Sequence, residues 1–147
     1  MRAVVSRVNR AVCSVDGNVT GEINAGLLVV VGFSSDDTEQ SVVKAASKVG
    51  KLRIFRDENG KISKSTSDVG GRALVISNFT LYGRVARTNR PDFTRSCPAD
   101  RAEKLYELFK KELSSYIPVS AGVFGAHMHI EAENDGPVTL IIDSDEL

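Results

Sequence analysis

The sequence predicts a single mixed α+β domain, with a sheet and flanking helices. Its 147 residues are enough for one domain with a substantial core. Apolar runs of strand length alternate with two helical patterns, in the order several strands, helix, strand, helix, two strands. No repeat, linker or low-complexity tract interrupts residues 1–147. We therefore expect one α+β (mixed α/β) domain covering the whole sequence.

Composition and charge exclude several classes of protein. Lys+Arg and Asp+Glu balance at 19 each, so any nucleic-acid binding has to come from a local basic patch. The two cysteines form neither a disulfide framework nor a metal-binding spacing, which suits a reducing cytosol. No signal-peptide pattern is present, and the longest aliphatic run, residues 27–31, is far too short to span a membrane. We expect a cytoplasmic protein with no membrane association and no cofactor.

The first third of the chain predicts strands. β-branched residues dominate residues 3–8 and 11–15, and a hairpin turn at Asp16-Gly17-Asn18 leads into a strand over residues 19–23. The run at residues 27–33 is apolar on both faces, as in a central strand that is covered on each side.

A helix and a loop are predicted next. Apolar residues at helical intervals predict a helix from Asp37 to about Leu52, with Asp36 and Glu39 spaced as a capping box. The lysines of this helix indicate a solvated face. Residues 56–61 predict a polar turn, and the Ser/Thr-rich residues 63–68 predict a loop.

The second half predicts strand, loop, helix and two strands. Residues 73–76 form an apolar strand that runs into a polar cluster, and residues 82–96 are loop-like. Pro98 suits the first turn of a helix whose apolar stripe continues to Ile117. From Phe124 to Glu133, apolar and polar residues alternate as in a strand, and residues 138–142 close the sheet.

The stretch between those last two strands carries a turn signal. Asn134-Asp135-Gly136 predicts a tight turn, because glycine tolerates positive φ and Asn and Asp bond their own backbone. Pro137 has no N–H for a ladder and belongs at a strand start or an edge. Local chemistry allows an ordinary turn with a trans proline or, less commonly, a cis Gly136–Pro137 bond.

Two groups of side chains could bind a metal or supply a nucleophile. His127, His129 and Glu131 share one face of the predicted strand and could ligate a metal, but the same pattern is that of a solvated strand face. Cys97 precedes a helix start, where a thiol pKa can fall, and could pair with His127. Cys97 is explained more simply as a small residue beside a proline. We therefore predict neither a thiol nucleophile nor a metal site.

Two further clusters point to an ester and to phosphates. Ser77, Asn78 and Thr80 follow a core strand and offer oxyanion donors, but no base that would make a triad lies nearby in sequence. The predicted loop carries Arg84, Arg87, Arg90 and Arg95 against one acid, Asp92. Forked guanidinium groups at irregular spacing suit phosphates, or form a solvated loop.

Taken together, Ser77-Asn78-Phe79-Thr80-Leu81 and Asn134-Asp135-Gly136-Pro137-Val138-Thr139 closely resemble the D-aminoacyl-tRNA deacylases. The likeness extends along the chain. The collinear segments that share it are Met1-Arg2-Ala3-Val4-Val5 with Arg7-Val8, Gly26-Leu27-Leu28-Val29, Val69-Gly70-Gly71, Arg90-Pro91-Asp92-Phe93 and Phe124-Gly125-Ala126-His127-Met128.

The resemblance implies a homodimer of β-barrel-like subunits that binds the aminoacylated 3′ end and acceptor stem of tRNA. The family's Gly–Pro bond is cis and reaches into the partner's site, where the Gly136 and Pro137 carbonyls would exclude an L side chain. Arg7 would hold that segment. Glycine, which has no side chain to exclude, would also be cleaved.

The resemblance also assigns the ester-binding side of the site. Ser77 and Thr80 hydroxyls and the Phe79 N–H would bind the ester and position water, with the terminal 2′-hydroxyl assisting. Phe124, Ala126 and Met128 would contribute to an adenosine pocket, and the four loop arginines would hold phosphates on the basis of their charge.

One departure from the family pattern leaves alternatives open. The family has glutamine where this chain has Asn78, which keeps the amide but shortens it. The first alternative is a non-enzymatic, nucleic-acid-binding dimer that has lost activity through Asn78. The second is a chirality-blind hydrolase of the same fold.

Overall fold

The computed structural model describes all 147 residues, which form eight strands, two α-helices and two short 3-10 helices. In chain order the elements are β1 (Arg2–Val15), β2 (Asn18–Ile23), β3 (Gly26–Gly32), α1 (Glu39–Gly50), β4 (Phe55–Arg56), β5 (Ile62–Lys64), β6 (Arg72–Ser77), a 3-10 helix (Phe79–Tyr82), α2 (Ala99–Ser114), β7 (Val119–Ala121), β8 (His129–Asp143) and a 3-10 helix (Ser144–Glu146).

A six-stranded sheet in the order β2-β1-β3-β6-β7, with β8 on the other side of β1, forms the body of the domain. The long β1 pairs with β3 through its first half and with β2 through its second. The outer strands β2 and β7 approach each other closely, since a Cβ at Gly21 would lie 2.6 Å from the Ala121 carbonyl oxygen. The predicted mixed α/β class with a barrel-like sheet is confirmed.

Both helices pack on one face of the sheet. Strand β3 runs parallel to β6, and β6 to β7, so each pair needs a crossover, which α1 and α2 provide. The apolar stripes that predicted the helices are buried there, including Val49 of α1 and Phe109 of α2. Tyr106 is also buried and donates its hydroxyl to the Val75 carbonyl at 2.9 Å. Neither helix is long and apolar enough to cross a lipid bilayer.

The predicted capping box of α1 is wrong by two residues. Thr38 is the N-cap, and Thr38 and Ser41 exchange side-chain-to-backbone hydrogen bonds of 3.2 and 3.1 Å. Asp37, the predicted first residue of the helix, lies before it, and its carboxylate accepts from the buried Met1 ammonium group and from the Ser34 backbone N–H.

Three strand assignments also differ from the sequence prediction. The predicted strand from Phe124 begins only at His129, and the alternating residues before it form a turn. The short strand β7 was missed, because its three residues are held by parallel pairing with Ala73–Val75 and not by a pattern of their own. In the predicted loop at residues 63–68, the first two residues belong to β5, which pairs with β4.

The tight turn predicted between two strands at Asn134-Asp135-Gly136 lies instead within the single strand β8. Both flanking runs pair with the same strand, because Asn134 lies opposite Val8 while Thr139 lies opposite Ser6. Residues 135–138 therefore bulge out of β8 opposite the single residue Arg7. Pro137 is tolerated there because β8 pairs with no strand other than β1 and so is an edge strand.

Candidate active site

A cavity of about 640 Å³ opens at the edge of the sheet where β3 and β6 end. Parallel strands bring their carboxyl ends to the same edge, which is where sites gather in such sheets. Twelve of its eighteen lining residues are hydrophobic, so the few polar groups that face it are conspicuous. Ser77, Asn78 and Phe79 form one wall, and the turn at residues 124–128 forms another.

Gly32 allows the segment that follows Ser77 to cross the end of β3. A Cβ at this position would lie 2.7 Å from the Asn78 carbonyl oxygen and 3.0 Å from the Leu81 side chain. The Asn78 N–H donates to the Val31 carbonyl at 2.7 Å and continues the ladder by one bond. The segment is thereby fixed to the sheet at the point where it turns away.

Asn78 caps the 3-10 helix that carries the other donors. Its Oδ1 accepts from the Thr80 N–H at 3.0 Å and from the Thr80 hydroxyl at 2.6 Å. The Thr80 proton therefore points to Asn78, which leaves the lone pairs of Thr80 Oγ1 for an incoming donor. The Phe79 N–H, at the start of the helix, has no intrahelical acceptor.

We expect Asn78→Ala to lower the free energy of unfolding by about 1 kcal/mol, because the cap is lost. Urea denaturation followed by circular dichroism measures this change. Asn78→Asp replaces the amide oxygen with a carboxylate oxygen that can still accept from both Thr80 donors, so it serves as the matched control. Equal stability of the Ala and Asp variants would contradict a capping role for Asn78.

The opposite wall brings Phe124, Ala126 and Met128 to the cavity. These are the residues that the sequence assigned to adenosine, although they lie in a turn and not in a strand. His127 also lines the cavity, which its alternation with apolar neighbours did not reveal. Sequence reasoning missed the apolar lining residues Val30 and Ile76, whose signal was their place just before two strand ends.

The alternative metal and thiol sites do not form. His129 Nε2 lies 3.6 Å from Glu131 Oε1, and no group of three or more His, Cys, Asp or Glu side chains is placed to hold a metal ion. Cys97 lines the cavity, but burial raises its thiol pKa, which is the opposite of what a nucleophile at a helix start needs.

Arg7, Gly136 and Pro137 lie away from this cavity within one chain. Arg7 is buried, and its Nε lies 3.1 Å from the Asp135 carbonyl oxygen and 3.0 Å from Asp135 Oδ2. Its other end donates to the Ile54 carbonyl. Gly136 and Pro137 are exposed, and the peptide bond between them is cis. A buried guanidinium thus anchors a protruding segment.

The arginine-rich loop is exposed and electrostatically unpaired. None of Arg84, Arg87, Arg90 and Arg95 forms a salt bridge within the chain. Hydrogen bonds from Thr94, helped by nearby arginines, hold the pKa of Asp92 below its usual range. The neighbouring Arg101 differs, because it donates to the Ser35 and Asp37 carbonyls and ties α2 to the turn before α1.

Comparison with known proteins identifies the family of the chain. The profile of the family described as D-Tyr-tRNA(Tyr) deacylase matches residues 4–143. A D-aminoacyl-tRNA deacylase of Persephonella marina is 52% identical over 147 residues, which are 100% of both chains.

Two solved structures share the fold. A structure described as c-Myc DNA Unwinding Element Binding Protein has a TM-score of 0.92 and 39% identity, over 97% of this chain and 98% of its own. One described as a probable eukaryotic D-amino acid tRNA deacylase has a TM-score of 0.82, over 96% and 97%, and at 17% identity it shows the fold alone. The family predicted from the two motifs is confirmed, and with it the prediction of an enzyme: the chain belongs to the D-Tyr-tRNA(Tyr) deacylase family.

Proposed function

We propose that the protein hydrolyses the ester that joins a D-amino acid, or glycine, to the 3′ end of tRNA. The observation that carries this proposal is the polar segment Ser77–Thr80 at the end of β6. Its first three residues line a mostly apolar cavity that has no carboxylate in its lining, and Thr80 follows them at the exposed edge. Donors of this kind suit an acyl ester whose carbonyl oxygen gains negative charge during attack.

Two protein groups donate hydrogen bonds to the ester, and one accepts a hydrogen bond from water. The Ser77 hydroxyl and the Phe79 N–H donate to the ester carbonyl oxygen, while Thr80 Oγ1 accepts from the attacking water because its own proton is held by Asn78. Water adds to the carbonyl carbon, and the bond to the ribose oxygen breaks. That oxygen takes up the proton released by water, aided by the neighbouring 2′-hydroxyl, and a free amino acid and tRNA leave.

The terminal adenosine would lie on the apolar wall. Phe124, Ala126 and Met128 offer an aromatic ring, a small side chain and a polarisable thioether, which together suit the flat face of a purine. The unpaired arginines of the loop would hold phosphates of the acceptor stem, as their forked donors permit. Because its substrate is charged tRNA, we place the protein in the cytoplasm.

A second copy of the chain would complete the site. Val4, Val30 and Ile141 lie on the same sheet face, away from the helices, and Ile141 is 75% exposed there. Such an apolar face next to the cavity suits a homodimer. In that dimer the exposed Gly136 and Pro137 carbonyls would enter the partner's cavity, accept from the substrate ammonium group and leave no space for an L side chain.

We expect the purified protein to release tyrosine from D-Tyr-tRNA and to leave L-Tyr-tRNA intact. The physical reason is that the side chain of the L form points at the Gly136 and Pro137 carbonyls, whereas that of the D form points to solvent. Single-turnover hydrolysis of the two radiolabelled esters, with Gly-tRNA as a third substrate, measures this. Equal release from both stereoisomers, or release from neither, would contradict the proposal.

A second candidate, which would set this chain apart from the enzymes of its family, is a non-enzymatic, nucleic-acid-binding dimer. It is favoured by the four unpaired arginines and by the relative at 39% identity, whose own name describes that protein as binding a DNA element. Under this candidate the wild type cleaves no ester, and Asn78→Gln raises turnover from zero instead of tuning it.

A further inference from the structure

An exposed pair of aromatic rings stands at the mouth of the cavity. The rings of Phe79 and Phe93 pack edge to face, with centroids 5.0 Å apart and planes at 70°. Phe79 is 57% exposed and Phe93 is 38% exposed, although both are large apolar side chains. Exposed phenylalanines gain by being covered, and a pair of them offers more area than either alone.

The chain holds this pair in place. A Cβ at Gly83 would lie 2.8 Å from the Phe93 ring, so the ring rests directly on the glycine backbone. A two-residue bridge with hydrogen bonds of 2.9 Å in both directions joins Arg84 to Asp92 and fixes the residue before Phe93. Ser96 donates to the Phe79 carbonyl at 3.0 Å. The rings are therefore positioned by backbone contacts and not merely left outside the core.

The residues around Phe79 and Phe93 indicate which kind of ligand would cover the two rings. Phe79 lines the cavity, whereas Phe93 belongs to the loop with the four unpaired arginines. A ligand that covers both rings thus has a flat apolar part that extends out of the cavity and a negative charge close by. Bases of single-stranded nucleic acid stack on aromatic side chains while arginines hold the backbone.

We propose that Phe79 and Phe93 form a stacking platform for the base that precedes the terminal adenosine, a cytosine in tRNA. This inference rests on the proposed function, since it assumes that adenosine occupies the cavity. The platform would hold the unpaired end of the tRNA in register, so that the ester reaches the Ser77–Thr80 segment. Stacking does not depend on base identity, so all tRNAs would benefit alike.

Three small D-tyrosyl esters test the platform without the rest of the tRNA. They are the ester of adenosine, the ester of the dinucleotide cytidylyl-adenosine, and the ester of the same dinucleotide without the cytosine base. We expect kcat/KM to be roughly 5- to 150-fold higher for the full dinucleotide than for its abasic form, from a stacking free energy of about 1–3 kcal/mol. The abasic ester separates the base from its phosphate.

Variants of the loop then assign that ratio to the rings. Phe93→Leu should bring the ratio of the dinucleotide to the abasic ester close to one, and Phe93→Tyr, which keeps a ring, should preserve it. Gly83→Ala, which displaces the Phe93 ring, should also lower the ratio. Val85→Ala is the matched control, because Val85 is a 63% exposed apolar residue of the same loop.

The possible outcomes distinguish a failure of the stacking platform from a failure of the proposed hydrolase function. If neither D-Tyr-tRNA nor any of the three esters is cleaved, the proposed function fails. Cleavage of D-Tyr-tRNA alone would overturn the platform, because contacts farther along the tRNA would then position the ester. If all are cleaved but the wild type treats the full and abasic dinucleotides alike, the platform is overturned while the function stands. A ratio that survives both Phe93→Leu and Gly83→Ala would also overturn it.

Discussion

A mixed dimer of two inactive chains, Thr80→Val and Gly136→Ala, is expected to recover about half of the wild-type activity. Thr80→Val removes the oxygen that accepts from water. We expect a loss comparable to that of removing one oxyanion-hole donor, about 10²- to 10³-fold in rate. Gly136→Ala disturbs the protruding segment, because its Cβ would meet the Val138 backbone nitrogen at 2.3 Å and the φ of Gly136 is +152°. Each homodimer of one variant carries its defect in both sites.

Recovery follows from the geometry of a shared site. In a mixed dimer, one site combines an intact Thr80 with the intact Gly136 of the other chain, while the second site carries both defects. Co-expression with two different affinity tags isolates the mixed dimer, and hydrolysis of D-Tyr-tRNA measures its rate. The control places both substitutions in one chain and pairs that chain with wild type, which leaves one defect in each site and should give no recovery.

If each site is formed by one chain alone, the mixed dimer and the control dimer should exchange their activities. The double-variant chain paired with wild type would then keep one intact site and half of the activity, and the pair of single variants would stay inactive. A purified protein that stays monomeric at the assay concentration would reject the shared site directly. The result therefore decides whether Gly136 acts within its own chain or on its neighbour.

Local patterns predicted the strands and helices that bury an apolar face. β3 is apolar on both sides because one face, with Val29, is buried in the core that includes the helices, while the other, with Val30, packs against a second, smaller core cluster. The stripes of α1 and α2 repeat at helical spacing because one face of each is buried. The polar cluster at Ser77 could be placed at a strand end, since the apolar run of β6 stops there. These features depend on residues that are close together in sequence.

Features set by distant residues were beyond such patterns. Asn134-Asp135-Gly136 has the same turn chemistry in a hairpin as in a bulge, and only the pairing of both flanks with β1 decides between them. The anchoring of Asp135 by Arg7 joins residues 128 positions apart. His127 faces the cavity because residues 124–128 turn instead of extending, which their alternation does not indicate.

The carboxylate of Asp37 accepts from more groups than any other carboxylate of the chain, two of them distant in sequence. Its replacement is expected to cause the largest loss of stability. The carboxylate is buried and pairs with the buried Met1 ammonium group. Its Oδ2 accepts from the Ser34 N–H at 2.7 Å and from the Ser34 hydroxyl at 3.2 Å, and its Oδ1 lies 3.3 Å from the hydroxyls of Ser41 and Ser144. One side chain thus joins the start of β1, the turn before α1 and the end of the chain.

We expect Asp37→Ala to lower the free energy of unfolding by about 3–5 kcal/mol, because it leaves a buried ammonium group without its counter-charge and several donors without an acceptor. Asp37→Asn keeps an acceptor oxygen but not the charge, and should lose less. Urea denaturation with the wild-type m-value measures both changes as shifts of the midpoint. Asp36→Ala, at the exposed neighbouring carboxylate, should stay within about 0.5 kcal/mol of wild type. Equal losses for Asp36→Ala and Asp37→Ala would mean that general surface charge, and not the buried ion pair, stabilises this corner of the fold.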